Sequence, residues 1–193
     1  MSLVELGESC ERCAQPGSKL CSRCAHAPLA IDRIVTPWRF GGALATAIRR
    51  LKFTGATHIA RTLAPLWAPL LAAAVAETDG VIVPVPLHWR RRLQRGFDQT
   101  WLLARHACEL AELPRPRSAL LRLVAAPPQS TLPASDRADN VDGVFAARAR
   151  VAGRTVILID DVVTTGSTLS AAAQALREAG ATEVIGVALA RAE

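Results

Sequence analysis

The chain has 193 residues, 50% of them hydrophobic and 21% charged. That size suits one domain plus a small appendage, and the apolar share supports a packed core and excludes a disordered chain. The formal charge of +6 favours anionic partners, a pyrophosphate ester or a nucleic acid, but Lys occurs only as Lys19 and Lys52, so the Arg-borne basicity reflects genome composition equally well.

Met1 to Gly7 lacks the basic start and apolar run of a secretory leader. The most apolar stretch, Leu63 to Ala76, is short for a bilayer and is broken by Pro65 and Pro69. A cytoplasmic protein without membrane insertion is expected. Cysteine usage agrees, because four of the five Cys sit in one N-terminal cluster and are not spread as a disulfide framework.

That cluster opens the chain. Cys10-Glu11-Arg12-Cys13 and Cys21-Ser22-Arg23-Cys24 are two CxxC knuckles with seven residues between them. Each CxxC turn faces two thiolates to one point, and two turns close a tetrahedral sulfur site that suits Zn²⁺. His26 is a weaker substitute ligand. A redox dithiol pair and reduced bystander cysteines are the alternatives. A segment this short cannot bury a core, so a structural zinc would supply most of its folding free energy, on the order of 10 kcal/mol or more. No open coordination position, and hence no catalysis, is expected there.

Beyond the knuckle, residues 31–39 predict a strand that Gly41-Gly42 ends. Residues 43–53 predict a helix with Leu44, Ala47, Ile48 and Leu51 on one face. Arg49, Arg50 and Lys52 at its end form a basic patch, as readily a solvated helix end as a ligand site. Residues 57–77 predict a second helix, kinked or split at its prolines. A buried strand over 81–86 follows, then a basic loop from His88 to Gln99, then a helix over 100–113 that carries Cys108 as a buried small hydrophobe. Arginine forks bind phosphate oxygens pairwise, but a solvated Arg run explains this loop as well. Residues 119–124 predict a further strand. The Pro- and Ser-rich stretch from Ala125 to Arg137 predicts a mobile loop, and residues 136–143 a short helix.

The last third carries the most informative run. Val156-Ile157-Leu158-Ile159 predicts a buried strand, and Asp160 and Asp161 stand at its C-terminal end. Thr164, Thr165, Gly166, Ser167 and Thr168 make a short loop, and residues 169–180 predict a helix with a Gly stop. Such a loop offers backbone N–H groups and hydroxyls at a helix N-terminus, which favours phosphate. The paired acids suit a polyol or a divalent cation. An ordinary strand-to-helix turn with two capping acids is the alternative. A final strand runs over 184–190.

This run resembles the 5-phosphoribosyl-1-pyrophosphate (PRPP) loop of type I phosphoribosyltransferases. The resemblance implies that Asp160 and Asp161 take the ribose hydroxyls, and that Val163 to Thr168, with Thr164, Thr165, Gly166, Ser167 and Thr168 foremost, take the 5-phosphate. Val83-Pro84-Val85-Pro86, Arg95-Gly96-Phe97-Asp98-Gln99, Leu51-Lys52-Phe53 with Gly55, and Gln129 followed by Arg137, Asn140, Gly143 and Phe145 resemble the ComF family more closely. Those are competence-associated proteins with this fold, many with an N-terminal Cys₄ zinc module. The likeness extends from Cys10 to Ala190. It adds Arg95, Gly96, Gln99 and Lys52 to the expected ligand residues, Mg²⁺ with PRPP as a cofactor, and single-stranded DNA and DNA-uptake machinery as partners.

Two departures stand out. The family usually has Asn where Asp98 stands, and a carboxylate beside a pyrophosphate would repel it. Purine phosphoribosyltransferases commonly place an Asp where Thr164 stands, as general base on the nucleobase, which argues against purine salvage.

The expected fold is α/β: a doubly wound, mostly parallel sheet of the type I phosphoribosyltransferase kind at residues 29–193, with a zinc knuckle at residues 1–28. If the chain is an enzyme, its reaction displaces pyrophosphate from ribose C1. Mg²⁺ and Arg95, and more weakly Arg90 to Arg92, then stabilise the leaving group. A non-catalytic PRPP sensor and a single-stranded-DNA-handling competence factor are the competing readings.

Overall fold

The computed structural model describes residues 3–124, 143–149 and 151–192. Its centre is a parallel sheet built from β1 (Arg33–Val35), β2 (Trp38–Arg39), β3 (Val81–Pro84), β6 (Thr155–Val163) and β7 (Glu183–Arg191), in the order β1-β7-β6-β3, with β2 also on β7. The predicted 31–39 strand is thus two short pieces, both paired to β7 and separated around Pro37, which cannot donate to a ladder. The strand predicted from Val156, with the acids at its end, continues to Val163, so both acids belong to β6 itself.

Alternation along β6 and β7 sorts side chains into two cores. Val156, Leu158, Val184 and Ala188 face one side, and Ile157, Ile159, Ile185, Val187 and Leu189 the other. Helix α6 (Ser167–Glu178) covers the first side with Leu169, Ala172, Ala173 and Leu176, an apolar stripe at helical spacing. The second side is covered by α2 (Gly42–Phe53), α3 (His58–Thr78) and α5 (Gln99–Leu110).

Helix α3 runs as one helix through Pro65 and Pro69, where a kink or split is predicted. By length and composition alone its 21 residues are enough to cross a membrane, a test that a buried core helix also passes, whereas Leu63 to Ala76 by itself is short for that. Leu63, Trp67 and Leu71 are instead buried in the second core. Packing of that face against the sheet and α5 offsets the proline cost, typically ~3 kcal/mol each. Cys108 is buried on α5 as predicted, and burial pushes its thiol up to about 11.

Two further departures shape the site. The predicted 119–124 strand is β4 (Leu120–Arg122), and it does not join the main sheet. It pairs antiparallel with β5 (Phe145–Ala147) in a two-stranded sheet against α6. The Arg117 amide still donates to the Ile82 carbonyl at the edge of β3, after which the chain leaves that edge. The predicted basic loop contains a helix, α4 (Trp89–Arg95), which opens with the His88 side chain accepting from the Arg90 amide and closes on Gly96 at φ 77°. Gln129, Arg137 and Asn140, the predicted loop to Arg137 and most of the predicted 136–143 helix lie outside the described residues.

Candidate functional site: a cationic cleft with an acid pair

The C-terminal ends of β3 and β6 open into a cleft of about 950 Å³. Asp160 and Asp161 stand at its floor. Being neighbours on a strand, they point to opposite sides of the sheet and yet both line the cleft, because β6 ends there. Asp161 lies on the side covered by α2, and its Oδ1 meets Lys52 Nζ at 2.8 Å. Its Oδ2 is buried without a hydrogen-bond partner. The Asp161 amide donates to Asp160 Oδ1 at 2.9 Å. Burial, and then the charge of Asp161, push the Asp160 carboxyl up to about 7, against the opposing pull of Lys52 and Arg122. Two adjacent carboxylates, one with an orphaned oxygen, have capacity for a cation or for the hydroxyls of a polyol.

From β6 the chain turns through Thr164 and Thr165 to Gly166, which caps α6 at φ 83°. A side chain there would be strained twice, because a Cβ would also lie 2.9 Å from Leu29 Cδ1. Thr165 Oγ1 accepts from the Ser167 amide at 3.3 Å and lies 2.5 Å from Ser167 Oγ. The first-turn amides of α6 have no acceptors within the helix, so a phosphate finds donors there. Thr164 and Thr168 line the cleft. Thr165, Gly166 and Ser167 form the turn between them, while Val163 is buried in the core and stands back from the cleft.

The walls are basic. Arg49 and Lys52 come from α2, Arg91 and Arg95 from α4, and Arg122 from β4. Arg95 Nη1 donates to Gln99 Oε1 at 2.9 Å, and its guanidinium lies 5.2 Å over the Phe53 ring. Burial and the nearby Arg91 lower the Arg95 pKa, while Asp161 and Asp98 raise it. Of the residues predicted around this loop, Arg95, Gln99 and Lys52 line the cleft, and Gly96 does not: it closes α4. Arg122 was not anticipated. It lines the cleft with its guanidinium 5.3 Å over Phe145, its partner in the β4–β5 register. Burial lowers its pKa, and Asp160 raises it. A lone Arg at the end of a three-residue strand carries no sequence signal until the strand's partner is known.

Asp98 has a structural explanation. Its Oδ1 accepts from the Thr100 and Trp101 amides at 3.1 and 3.2 Å, capping α5, and its Oδ2 accepts from the Leu87 amide at 2.9 Å. Burial holds its pKa above the usual carboxylate value, against the downward pull of these amides and of Arg92. Its charge is therefore spent on backbone donors.

The cysteine knuckle packs at the C-terminal end of β7. The sulfurs of Cys10, Cys13, Cys21 and Cys24 all lie within 4.8 Å of one another, and Cys13 and Cys21 Sγ are 3.6 Å apart. A tetrahedral site with zinc–sulfur bonds near 2.3 Å has sulfurs about 3.8 Å apart, so the set fits zinc. Burial raises the Cys13 and Cys24 thiols. Burial also acts upward on Cys10, but backbone amides of Cys21, Cys13 and Arg12 outweigh it and bring that thiol down to about 6. Four sulfurs this close need a cation to ionise together. His26 is not in the cluster, and its Nδ1 lies 2.8 Å from the Ser22 carbonyl.

Comparison with known proteins agrees with this architecture. Residues 122–193 match the phosphoribosyl transferase domain. The DNA utilization protein YhgH of Escherichia coli K12 is 34% identical over 183 residues, covering 91% of this chain and 80% of that protein. Competence protein F of Haemophilus influenzae is 32% identical over 197 residues, with 93% and 84% covered. Competence protein ComFC of Bacillus subtilis is 29% identical, with 90% and 73% covered. With a parallel α/β sheet, an N-terminal four-cysteine knuckle and relatives at this level of identity, the chain belongs to the ComF family of phosphoribosyltransferase-fold proteins.

Proposed function

We propose that the cleft binds PRPP, or another ribose 5-phosphate ester, together with Mg²⁺, and that the protein serves DNA uptake or utilisation from the cytoplasm. The observation that carries this reading is the acid pair, with the buried, unpartnered Oδ2 of Asp161, set beside an α6 N-terminus and faced by Lys52, Arg95 and Arg122. One ligand with a vicinal diol at its centre and phosphates at both ends matches that order of charges. In this reading Asp160 and Asp161 hold the ribose hydroxyls, and Thr164 to Thr168 hold the 5-phosphate. Lys52, Arg95 and Arg122 face the pyrophosphate. Mg²⁺, when bound, would neutralise phosphate charge and stabilise a departing pyrophosphate. Gln99 orients the Arg95 guanidinium through their hydrogen bond. If displacement at C1 occurs, preorganised cations are the chain's contribution to it. With Thr164 in place of an acid, the chain holds no carboxylate there to take a proton from a nucleobase. Zinc in the knuckle is structural in this reading.

Calorimetric titration of the zinc-loaded protein with PRPP and Mg²⁺ tests the proposal, beside an Asp160→Asn/Asp161→Asn variant. Binding by the wild type and its loss in the variant is expected. No binding by the wild type overturns the reading.

A second reading, single-stranded DNA handling, is favoured by exposed aromatics with stacked arginines. Phe53 is 73% exposed under Arg95, and Trp89 is 60% exposed under Arg90. Bases stack on such platforms while cations follow the backbone. The names of the relatives in E. coli and H. influenzae agree with it. Oligonucleotide binding that weakens steeply with salt supports this reading, and salt-insensitive or absent binding removes it.

A further inference from the structure

We propose that Arg23, carried by the cysteine knuckle, is a positioning residue for the phosphate loop, so that metal binding in the knuckle and ribose-phosphate binding in the cleft reinforce each other. The inference rests on the ribose-phosphate reading above.

Arg23 Nη2 donates to the Thr165 carbonyl at 2.5 Å, joining residues 142 apart in sequence. Thr165 is the loop residue before Gly166. A peptide group is planar and trans, so a Thr165 carbonyl held toward the knuckle aims the Gly166 N–H away from it. That peptide would otherwise be free to turn, because Gly166 tolerates either sign of φ. Arg23 itself sits on α1 (Ser22–His26), between Cys21 and Cys24. A metal held by those two thiolates fixes the backbone on both sides of Arg23.

The knuckle is also tied to the sheet from other directions. Arg191, only 3% exposed at the end of β7, donates to the Cys13 carbonyl and to Gln15 Oε1. Leu29 and Ile34, just beyond the knuckle, press on Gly166 from the side where a Cβ would project. The Ala30 amide donates to Ser170 Oγ at 2.9 Å, and Arg177 Nε donates to the Ala30 carbonyl at 2.9 Å, fastening this segment to α6. The phosphate loop is thus held between its own strand and helix on one side and the knuckle on the other. Loss of the metal frees Arg23, and loop order acquired on phosphate binding must by reciprocity favour the metal-bound knuckle.

The test uses the full-length zinc-loaded protein as wild type, Arg23→Ala and Arg23→Lys. Calorimetry with ribose 5-phosphate, with PRPP plus Mg²⁺, and with pyrophosphate plus Mg²⁺ separates the loop from the rest of the cleft. Zinc content per chain and the rate of zinc loss to a chromogenic chelator are read with and without ribose 5-phosphate. Arg23→Ala should keep its zinc, lose about fivefold in affinity for the two ligands bearing a 5-phosphate, and keep its affinity for pyrophosphate. Arg23→Lys should fall between. Ribose 5-phosphate should slow zinc loss from the wild type and have no such effect on Arg23→Ala. Unchanged affinities in Arg23→Ala, or an equal loss for pyrophosphate, overturns the positioning role while leaving the ribose-phosphate reading in place. Failure of the wild type to bind any of the ligands overturns that reading and the coupling with it.

Discussion

Replacing Lys52 by Met should destabilise the protein in a pH-dependent way, with a magnitude set by the Asp161 site. Lys52 Nζ is 2.8 Å from Asp161 Oδ1, and the two side chains are 23% and 4% exposed. At an effective dielectric near 20, two unit charges at this distance attract by about 6 kcal/mol. Desolvation opposes that gain, and breaking a fully buried pair typically costs about 3–5 kcal/mol because a charge is left uncompensated. Lys52 is partly solvated, which lowers the expectation to about 2–3 kcal/mol. For a chain of this length that is a fall in Tm of about 5–10 °C.

The sign of the pH effect follows from Asp160, whose carboxyl stands at about 7 through burial and the charge of Asp161, with Lys52 pulling it down. An acid with a raised folded pKa holds its proton more tightly when folded. Its favourable contribution is present below its unfolded pKa of about 3.9 and is lost as pH rises through the folded value. Without Lys52 that value climbs, so the deficit should be largest near pH 8 and shrink near pH 5. Thermal melts followed by circular dichroism at the two pH values, at one ionic strength, read the difference. Asp161→Asn should cost less than Lys52→Met, because a partly exposed Lys can turn to water while a buried carboxylate cannot. A deficit equal at both pH values, or none at pH 8, refutes the reasoning.

Gly166→Ala should lose about 1–3 kcal/mol, from a residue held at φ 83° and a Cβ 2.9 Å from Leu29 Cδ1, and should weaken ribose 5-phosphate binding; urea denaturation and calorimetry check the two effects. Asp98→Ala should cost about 1–2 kcal/mol through the lost cap of α5 and the orphaned Leu87 amide, with Asp98→Asn milder and PRPP affinity close to wild type in both. A large affinity loss in Asp98→Asn, with stability preserved, would place Asp98 in the ligand site instead.

Local patterns predicted much of this protein because they are written in neighbouring residues. The β6–loop–α6 unit follows from a run of apolar residues, two acids, Gly166 and a helical stripe, all within one contiguous segment. The double CxxC likewise announced a cluster that the fold assembles. The missed helix α4 lies in a run whose four arginines and exposed Trp89 and Leu93 leave no buried residue, so no apolar periodicity marked it. Tertiary packing overrode the prolines of α3, because local propensity is worth a few kcal/mol and the burial of Leu63, Trp67 and Leu71 is worth more.

The amino-acid sequence by itself determined the acid pair, the turn that leads from it into α6, the four thiols and the α/β class, since each depends on residue types a few positions apart. Only the tertiary structure decided how these parts meet. It brought Arg122 into the cleft through the β4–β5 pairing, spent Asp98 on three backbone amides, paired Lys52 with Asp161 and left the other oxygen of Asp161 without a partner, and set Arg23 against Thr165. Those outcomes depend on contacts between residues far apart along the chain. No local periodicity encodes them, because the partner of a polar group is chosen by which surfaces the packed apolar faces bring together.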